Sequence, residues 1–188
     1  MLDSDDLFRT EALADAPMTA DIIIRRAHSH DLQAILEIWV EGTVLATDHD
    51  LVHDEIARAS DVFRHRLESP DQTFGVWVAT NPENEILGWQ SLQPFGVNPL
   101  RMQLEAESST YVRRRTRQGR VGLELLRHAM QHSKKTSLHI IWGLALSSNR
   151  ASIRMMIAAD WQRVGALPIL PREPDTAPLE VWVYPICK

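Results

Sequence analysis

The stretch Glu107-Ser-Ser-Thr-Tyr-Val-Arg-Arg-Arg-Thr-Arg-Gln-Gly-Arg-Val-Gly122 decides the fold of this chain. It reads as the end of a β-strand, an arginine-rich turn and the start of an amphipathic helix. The first N–H groups of a helix lack partners within the helix and lie at the positive end of its dipole, so they attract phosphate. The pattern predicts a ligand with several phosphates, although a solvated basic turn or a nucleic-acid patch also fits it. The five arginines are Arg113, Arg114, Arg115, Arg117 and Arg120.

Composition limits the classes of protein that this chain can be. Its 188 residues, 44% of them hydrophobic and 24% charged, are ordinary values for one globular domain. A net charge of −5 argues against general binding of nucleic acid or of an anionic membrane, so the arginine cluster is a local feature. The single cysteine, Cys187, cannot form an intramolecular disulfide, and no apolar run has the length of a membrane span. We therefore expect a cytoplasmic protein.

The pattern of elements predicts a mixed sheet. Residues 1–20 are acidic, alanine-rich and without a clear period, so we expect a mobile tail ahead of one domain at residues 21–188. Hydrophobic periodicity then gives the order β, α, α, β, β, β, α, β, α, β, β. Residues 102–146 form a β-α-β unit, which implies a right-handed crossover between parallel strands. The predicted class is α/β (α+β), with helices on both faces of a strongly twisted sheet.

Some elements carry more specific expectations. The polar residues 43–69 predict one or two irregular helices. Residues 138–146 are almost wholly apolar and predict a central strand that is covered on both faces. We expect His128 and His132 on a solvated helix face, and His139 in the core.

Four stretches match short motifs in one order along the chain. They are Ile24-Arg-Arg-Ala27 with Asp31, Glu107-Ser-Ser-Thr-Tyr-Val112, Arg117-Gln-Gly-Arg-Val-Gly122, and Asn149 with Ser152-Ile-Arg-Met155. With these motifs, residues 22–184 resemble the GCN5-related N-acetyltransferases (GNAT). Within that superfamily the chain is most similar to the phosphinothricin and methionine sulfoximine acetyltransferase branch. The resemblance implies a single-domain GNAT fold.

The resemblance also implies an activity: transfer of an acetyl (acyl) group from acetyl-CoA to a primary amine on a small molecule or peptide. Members of the family are often dimers, which makes a homodimer one expected assembly. The acidic net charge and the lack of a long apolar run argue against nucleic-acid and membrane partners, and the spacing of His49 and His53 is too common to predict a metal. Two strands in such proteins splay apart, and the pantetheine arm of coenzyme A lies in the gap. Matched motif by motif, the implied cosubstrate-binding residues are Tyr111, Val112, Arg117, Gln118, Gly119, Arg120, Val121, Gly122, Asn149 and Ser152.

Three residues are candidates for the chemistry. An attacking amine must first lose a proton, so a base is needed. Glu107 matches the base of the branch, although a surface ion pair with a nearby arginine is the alternative. His49 is a reserve base, and Tyr111 could return a proton to sulfur if its hydroxyl reaches. The acidic, histidine-bearing residues 47–55 favour a cationic amine acceptor over a free amino acid, because no arginine follows until Arg58.

The chain departs from the family pattern at three places. Arg120 replaces the first glycine of the phosphate motif, and Met156 occupies the position of the usual general acid. Asp160 stands where the family has glycine, and it tolerates left-handed backbone better than most residues. These changes leave open a second interpretation: a catalytically weak or inactive module that binds acyl-CoA and regulates.

Overall fold

The computed structural model describes residues 21–47, 50–116, 120–167 and 177–187. Its sheet has seven strands in the order β1-β2-β3-β4-β5-β7-β6. Every neighbouring pair is antiparallel except β4 and β5, which are parallel. This mixed sheet confirms the predicted fold class. The strands are β1 (Ile23–Arg26), β2 (Gly75–Thr80), β3 (Ile86–Pro94), β4 (Glu105–Val112), β5 (Ile140–Leu146), β6 (Gln162–Leu167) and β7 (Leu179–Pro185).

Helices lie on both faces of the sheet and bury a separate core on each face. On one face α1 (Leu32–Thr47) and α2 (His53–Glu68) cover a cluster that contains Phe63 and Trp89. On the other face α3 (Arg120–Ser133) and α4 (Arg150–Ala158) cover the larger cluster. Residues 43–69, predicted as one or two irregular helices, hold the end of α1 and then α2, a regular helix of 16 residues whose Phe63 is buried in the core. Among the described residues, no helix combines the length and apolarity that crossing a bilayer requires.

The predicted burial of β5 is wrong on one face. Ile141 and Ala145 are buried, but Trp142 is only half-buried and Leu144 is 38% exposed. Successive strand residues point to opposite faces, so Trp142 and Leu144 share the open one. The helices on this side, α1 and α2, contact β2, β3 and β4, and they leave β5 uncovered. The apolar run in the sequence could not reveal where those helices stop.

The expectations for the three histidines are also wrong. The rings of His128 and His132 contact Trp77, with ring centroids 5.8 and 4.8 Å away, and His132 Nε2 lies 2.9 Å from the carbonyl oxygen of Gln72. Burial lowers the pKa of both histidines and neighbouring cations lower it further, whereas hydrogen bonds to the backbone of Gln72 and Thr73 raise the pKa of His132 in part. His139 is exposed rather than in the core. The aromatic partner lies on a distant strand, so helical periodicity alone does not identify it.

Candidate active site

The two parallel strands separate halfway along their length. β4 and β5 pair only from Glu105 with Ile140 to Ser108 with Gly143. Beyond that point β4 continues beside β3 to Val112, and β5 continues beside β7. The far end of β4 therefore has backbone N–H and C=O groups without a ladder partner on its β5 side. This gap is the place where an extended ligand can complete the sheet.

Helix α3 begins next to the open end of β4. Val121 and Gly122 are buried in its first turn. A Cβ atom on Gly122 would lie 3.3 Å from Cγ2 of Val112 and 3.0 Å from the sulfur of Met155. The glycine therefore lets the first turn of α3 pack tightly between β4 and α4. The first N–H groups of a helix have no partners within the helix, so this turn is a site suited to phosphate.

The arginines of the turn do not all face solvent. The guanidinium of Arg113 donates to the carbonyl oxygen of Ile86 and lies 3.4 Å from Glu37 and 3.8 Å from Glu41. The backbone N–H of Arg114 also donates to Glu41. These contacts tie the turn to α1. Arg120 pairs with Glu124 one helical turn later at 3.0 Å.

Two further arginines of the cluster, Arg114 and Arg115, have exposed side chains. Arg117, Gln118 and Gly119, which carry the centre of the predicted phosphate motif, lie outside the described residues, as does His49. Their predicted roles stay predictions.

Asn149 and Ser152 form the cap of α4. Asn149 is its N-cap residue, and its Oδ1 accepts a hydrogen bond of 3.1 Å from the backbone N–H of Ser152. Both residues are also predicted contacts of the cosubstrate. The geometry gives Asn149 a structural role in addition to that predicted one.

Glu107 lies on the face of β4 that also carries Ser109 and Tyr111, since these residues alternate along the strand. Its side chain is half-buried. Gln93 of β3 is directly opposite Glu107, and Ser91 is opposite Ser109. Neither Gln93 Oε1 nor Ser91 Oγ, both buried, has a hydrogen-bond partner within the described part of the chain. The carboxylate is thus next to polar atoms that a ligand or water can satisfy.

Tyr111 packs more deeply than Glu107. Its ring stacks on Trp89 with centroids 4.7 Å apart, and its Cδ1 lies 2.6 Å from the place where a Cβ of Gly42 would be. Burial raises the pKa of the phenol, and the charge of Glu107 raises it too, against hydrogen bonds with Thr43 and Trp39. The hydroxyl is therefore protonated at neutral pH and directed toward α1.

Arg66 belongs to this site and was missed from the sequence. Its guanidinium carbon lies 5.7 Å from the ring centroid of Phe63, on the inner side of α2. Burial lowers its pKa, and the charge of Glu107 counteracts this. The spacing of three residues from the core residue Phe63 is the signal that could have placed Arg66 on the inner face.

Met156 is 5% exposed and belongs to the larger core cluster. Its sulfur lies 3.2 Å from the position of a Cβ on Gly143, at the point where β4 and β5 separate. Asp160 has φ of 59°, so the left-handed turn expected there is confirmed. Among the described residues no cluster of His, Cys, Asp and Glu has the arrangement of a metal site.

The comparison with protein families identifies the class. The family described as "Acetyltransferase (GNAT) domain" matches residues 21–162. The chain therefore belongs to the GNAT acetyltransferase family, which confirms the resemblance found in the motifs. No curated protein sequence matches this one.

Several solved structures share the fold. A ribosomal-protein-alanine N-acetyltransferase from Brucella melitensis is 22% identical with a TM-score of 0.70, covering 87% of this chain and 99% of its own. An N-acetyltransferase from Staphylococcus aureus Mu50 is 21% identical with a TM-score of 0.72, over 89% and 100%. A GNAT superfamily phosphinothricin acetyltransferase from Sinorhizobium meliloti, solved in complex with acetyl-CoA, is 16% identical with a TM-score of 0.70, over 88% of each chain. At these identities the comparison establishes the fold.

Proposed function

We propose that this protein is an N-acetyltransferase that moves an acetyl group from acetyl-CoA to a primary amine on a small molecule or peptide. The observation that carries the proposal is the gap between β4 and β5, which opens beside both the first turn of α3 and the face that bears Glu107. Membership of the acetyltransferase family supports the transfer of an acetyl group.

The residues around the gap fit acetyl-CoA. The first turn of α3 offers backbone N–H groups to the diphosphate, and the backbone groups on the β5 side of β4 beyond Ser108 offer partners to the amides of pantetheine. The exposed Arg114 and Arg115 add positive charge at the same end of β4. Asn149 and Ser152 lie at the start of α4, which follows β5 along the chain.

Glu107 is proposed as the general base. It takes a proton from the acceptor ammonium, and the freed nitrogen attacks the thioester carbonyl carbon. The carbon–sulfur bond then breaks and the attacking nitrogen gives up its second proton, so the products are an amide and coenzyme A, whose sulfur takes up that proton. Backbone N–H groups of β4 in the gap are suited to stabilise the oxyanion that forms between these steps. Tyr111, protonated at neutral pH, is our candidate for returning a proton toward sulfur.

Thiol release from acetyl-CoA with a set of amines tests the proposal. We expect Glu107→Gln to lower kcat by about 10² to 10⁴, the usual contribution of a general base, with unchanged affinity for acetyl-CoA. Glu83→Gln, which alters an exposed carboxylate in the turn between β2 and β3, is the matched control. A Glu107→Gln enzyme as fast as the control would rule out the proposed base.

One observation favours the second candidate, an acyl-CoA-binding module without turnover. Met156, at the usual position of the general acid, is buried and has no acidic proton to donate. This candidate predicts binding of acetyl-CoA with no thiol release for any amine. Turnover that depends on Glu107 excludes it.

A further inference from the structure

The open face of β5 lies directly beside the proposed base. Trp142 is in parallel register with Glu107 and lies on the same face, and Leu144 is the next residue on that face. Since α1 and α2 leave these two side chains partly exposed, they form an apolar surface next to a carboxylate. The sequence predicted instead a strand covered on both faces.

The indole of Trp142 is held in place by several contacts. Its Nε1 donates a hydrogen bond of 2.9 Å to Oε2 of Glu105, a residue only 7% exposed. The other carboxylate oxygen of Glu105 accepts from the guanidinium of Arg101. The ring of Phe95 stacks on the indole, with centroids 4.9 Å apart and planes 17° apart. Such a wall has a fixed shape before any ligand binds, which lowers the entropic cost of binding.

The loop that carries Phe95 is itself ordered by the backbone. The N–H of Phe95 donates to the carbonyl oxygen of Glu105, and that of Leu104 donates to Arg101. Phe95 therefore stays in register with the start of β4.

A hydrogen-bond acceptor without a partner completes this site. Gln93 is the cross-strand neighbour of Glu107, and its Oε1 is buried with no hydrogen bond to any described residue. A buried polar atom of this kind needs a ligand or water to satisfy it. A protonated amine has three N–H donors, enough for Gln93 and Glu107 together.

We propose that Gln93, Trp142 and Phe95 form the acceptor subsite, and that it selects a primary amine carried on an aromatic or apolar body. The ammonium donates to Gln93 Oε1 and to Glu107, and the body lies along the aromatic wall toward Leu144. This inference rests on the proposed function and names its substrate class. Arg66, which is close enough to Glu107 for their charges to interact, disfavours an acceptor with a second positive charge.

Titration calorimetry of amines into the protein saturated with coenzyme A tests the subsite without turnover. We expect phenethylamine to bind at least about tenfold more tightly than ethanolamine, because stacking and apolar burial act only on the first. Spermidine, which carries further charges, is expected to bind more weakly than phenethylamine. Equal affinities for the first two amines, or a preference for spermidine, would overturn the inference.

Substitutions in the subsite test which residues cause the preference for phenethylamine over ethanolamine. Trp142→Ala should reduce the preference for phenethylamine to within about threefold and leave ethanolamine nearly unchanged, while Trp142→Phe retains most of it. Gln93→Leu, which keeps bulk and removes the acceptor, should weaken both amines by a similar factor of about five to ten. Phe95→Ala, outside the sheet core, repeats the test if Trp142→Ala does not fold. Equal losses for both amines in Trp142→Ala would show that no aromatic subsite exists.

The outcomes separate this inference from the proposed function. If the protein neither binds coenzyme A nor releases thiol but still prefers phenethylamine, the proposed acetyltransferase activity is rejected and the amine subsite remains. Turnover that depends on Glu107 but is indifferent to the body of the amine would reject the subsite alone.

Discussion

Glycine at position 42 allows the tyrosine of the site to pack against a helix backbone. A Cβ there would lie 2.6 Å from Cδ1 and 3.1 Å from Cε1 of Tyr111, far closer than such atoms approach. The ring cannot easily move aside, because it is stacked on the buried Trp89, whose Nε1 donates to the carbonyl oxygen of Ile35. The absence of a side chain at position 42 therefore lets α1 pack directly against the face of β4 that carries Glu107.

Gly42→Ala should destabilise the protein although alanine is the better helix former. Helix propensity favours the change by about 1 kcal/mol, whereas overpacking against a fixed ring costs about 1–3 kcal/mol. We expect a net loss of up to about 2 kcal/mol in the free energy of unfolding, measured by urea titration. Gly165→Ala in β6 is the control, since its Cβ meets nothing within 4 Å. A Gly42→Ala protein more stable than wild type would contradict the close contact.

In helix α4, the cap residue has both a structural role and a proposed role in binding. Asn149 caps the helix and is also a predicted contact of the cosubstrate. These two roles make different demands, because the cap needs only an oxygen that accepts from Ser152.

Asn149→Ala should lower the free energy of unfolding by about 1 kcal/mol through loss of the cap. Asn149→Asp retains an accepting oxygen and should keep that stability. If the side-chain amide also donates to the cosubstrate, both variants raise KM for acetyl-CoA. Steady-state kinetics beside urea unfolding separates the roles: a normal KM in Asn149→Asp would leave the residue with the cap alone.

Helix α3 carries a pH-dependent contact at its far end from the site. Burial lowers the pKa of His128 and His132 below that of free histidine, so the folded protein binds protons there less readily than the unfolded chain. The contact therefore contributes its full stability at pH values above about 6.5, the pKa of histidine in the unfolded chain. That contribution is lost as the pH falls through the lower pKa of the two histidines in the folded protein.

Replacing both residues, as in H128Q/H132Q, should flatten the fall of the unfolding free energy between pH 7 and pH 5. Glutamine can still donate to the carbonyl of Gln72 but does not titrate. Urea unfolding at several pH values provides the measurement, and His139→Gln, which alters an exposed histidine, is the control. If the unfolding free energy of the double variant falls with pH as steeply as that of wild type, other groups cause the loss of stability in acid.

For the molecule as a whole, the decisive feature is a sheet that is continuous at one end and split at the other. β3 and β7 hold the outer sides of β4 and β5 along their whole lengths, so the gap is kept open without a ligand. The cosubstrate would bridge two halves of the sheet whose ladder, in the described part of the chain, covers residues 105–108 and 140–143.

Acetyl-CoA should raise the melting temperature. At 100 times its dissociation constant, a ligand that binds only the folded state adds about 2.7 kcal/mol, or roughly 5–10 °C for a chain of this size. Differential scanning fluorimetry measures the shift. Pantetheine, which lacks the phosphates, should produce a much smaller one if the first turn of α3 holds the diphosphate. Equal shifts from both ligands would place the binding energy elsewhere.

Much of the fold follows from local patterns in the sequence. The predicted order of helices and strands matches the structure, and residues 102–146 contain the predicted β-α-β unit with its two parallel strands. A motif surrounds Glu107, so the sequence alone identifies it as a candidate. Arg66, Gln93 and Trp142 lie in no such motif, and their importance comes from neighbours on other elements.

The chain by itself therefore determined the elements, their order and the family, since periodicity and short motifs are local properties that survive without knowledge of packing. Only the tertiary structure decided which side chains meet at the gap, which arginines are tied to α1, and that one face of β5 is open. Those facts depend on register and on where helices end across the sheet, and contacts between residues distant in sequence fix both.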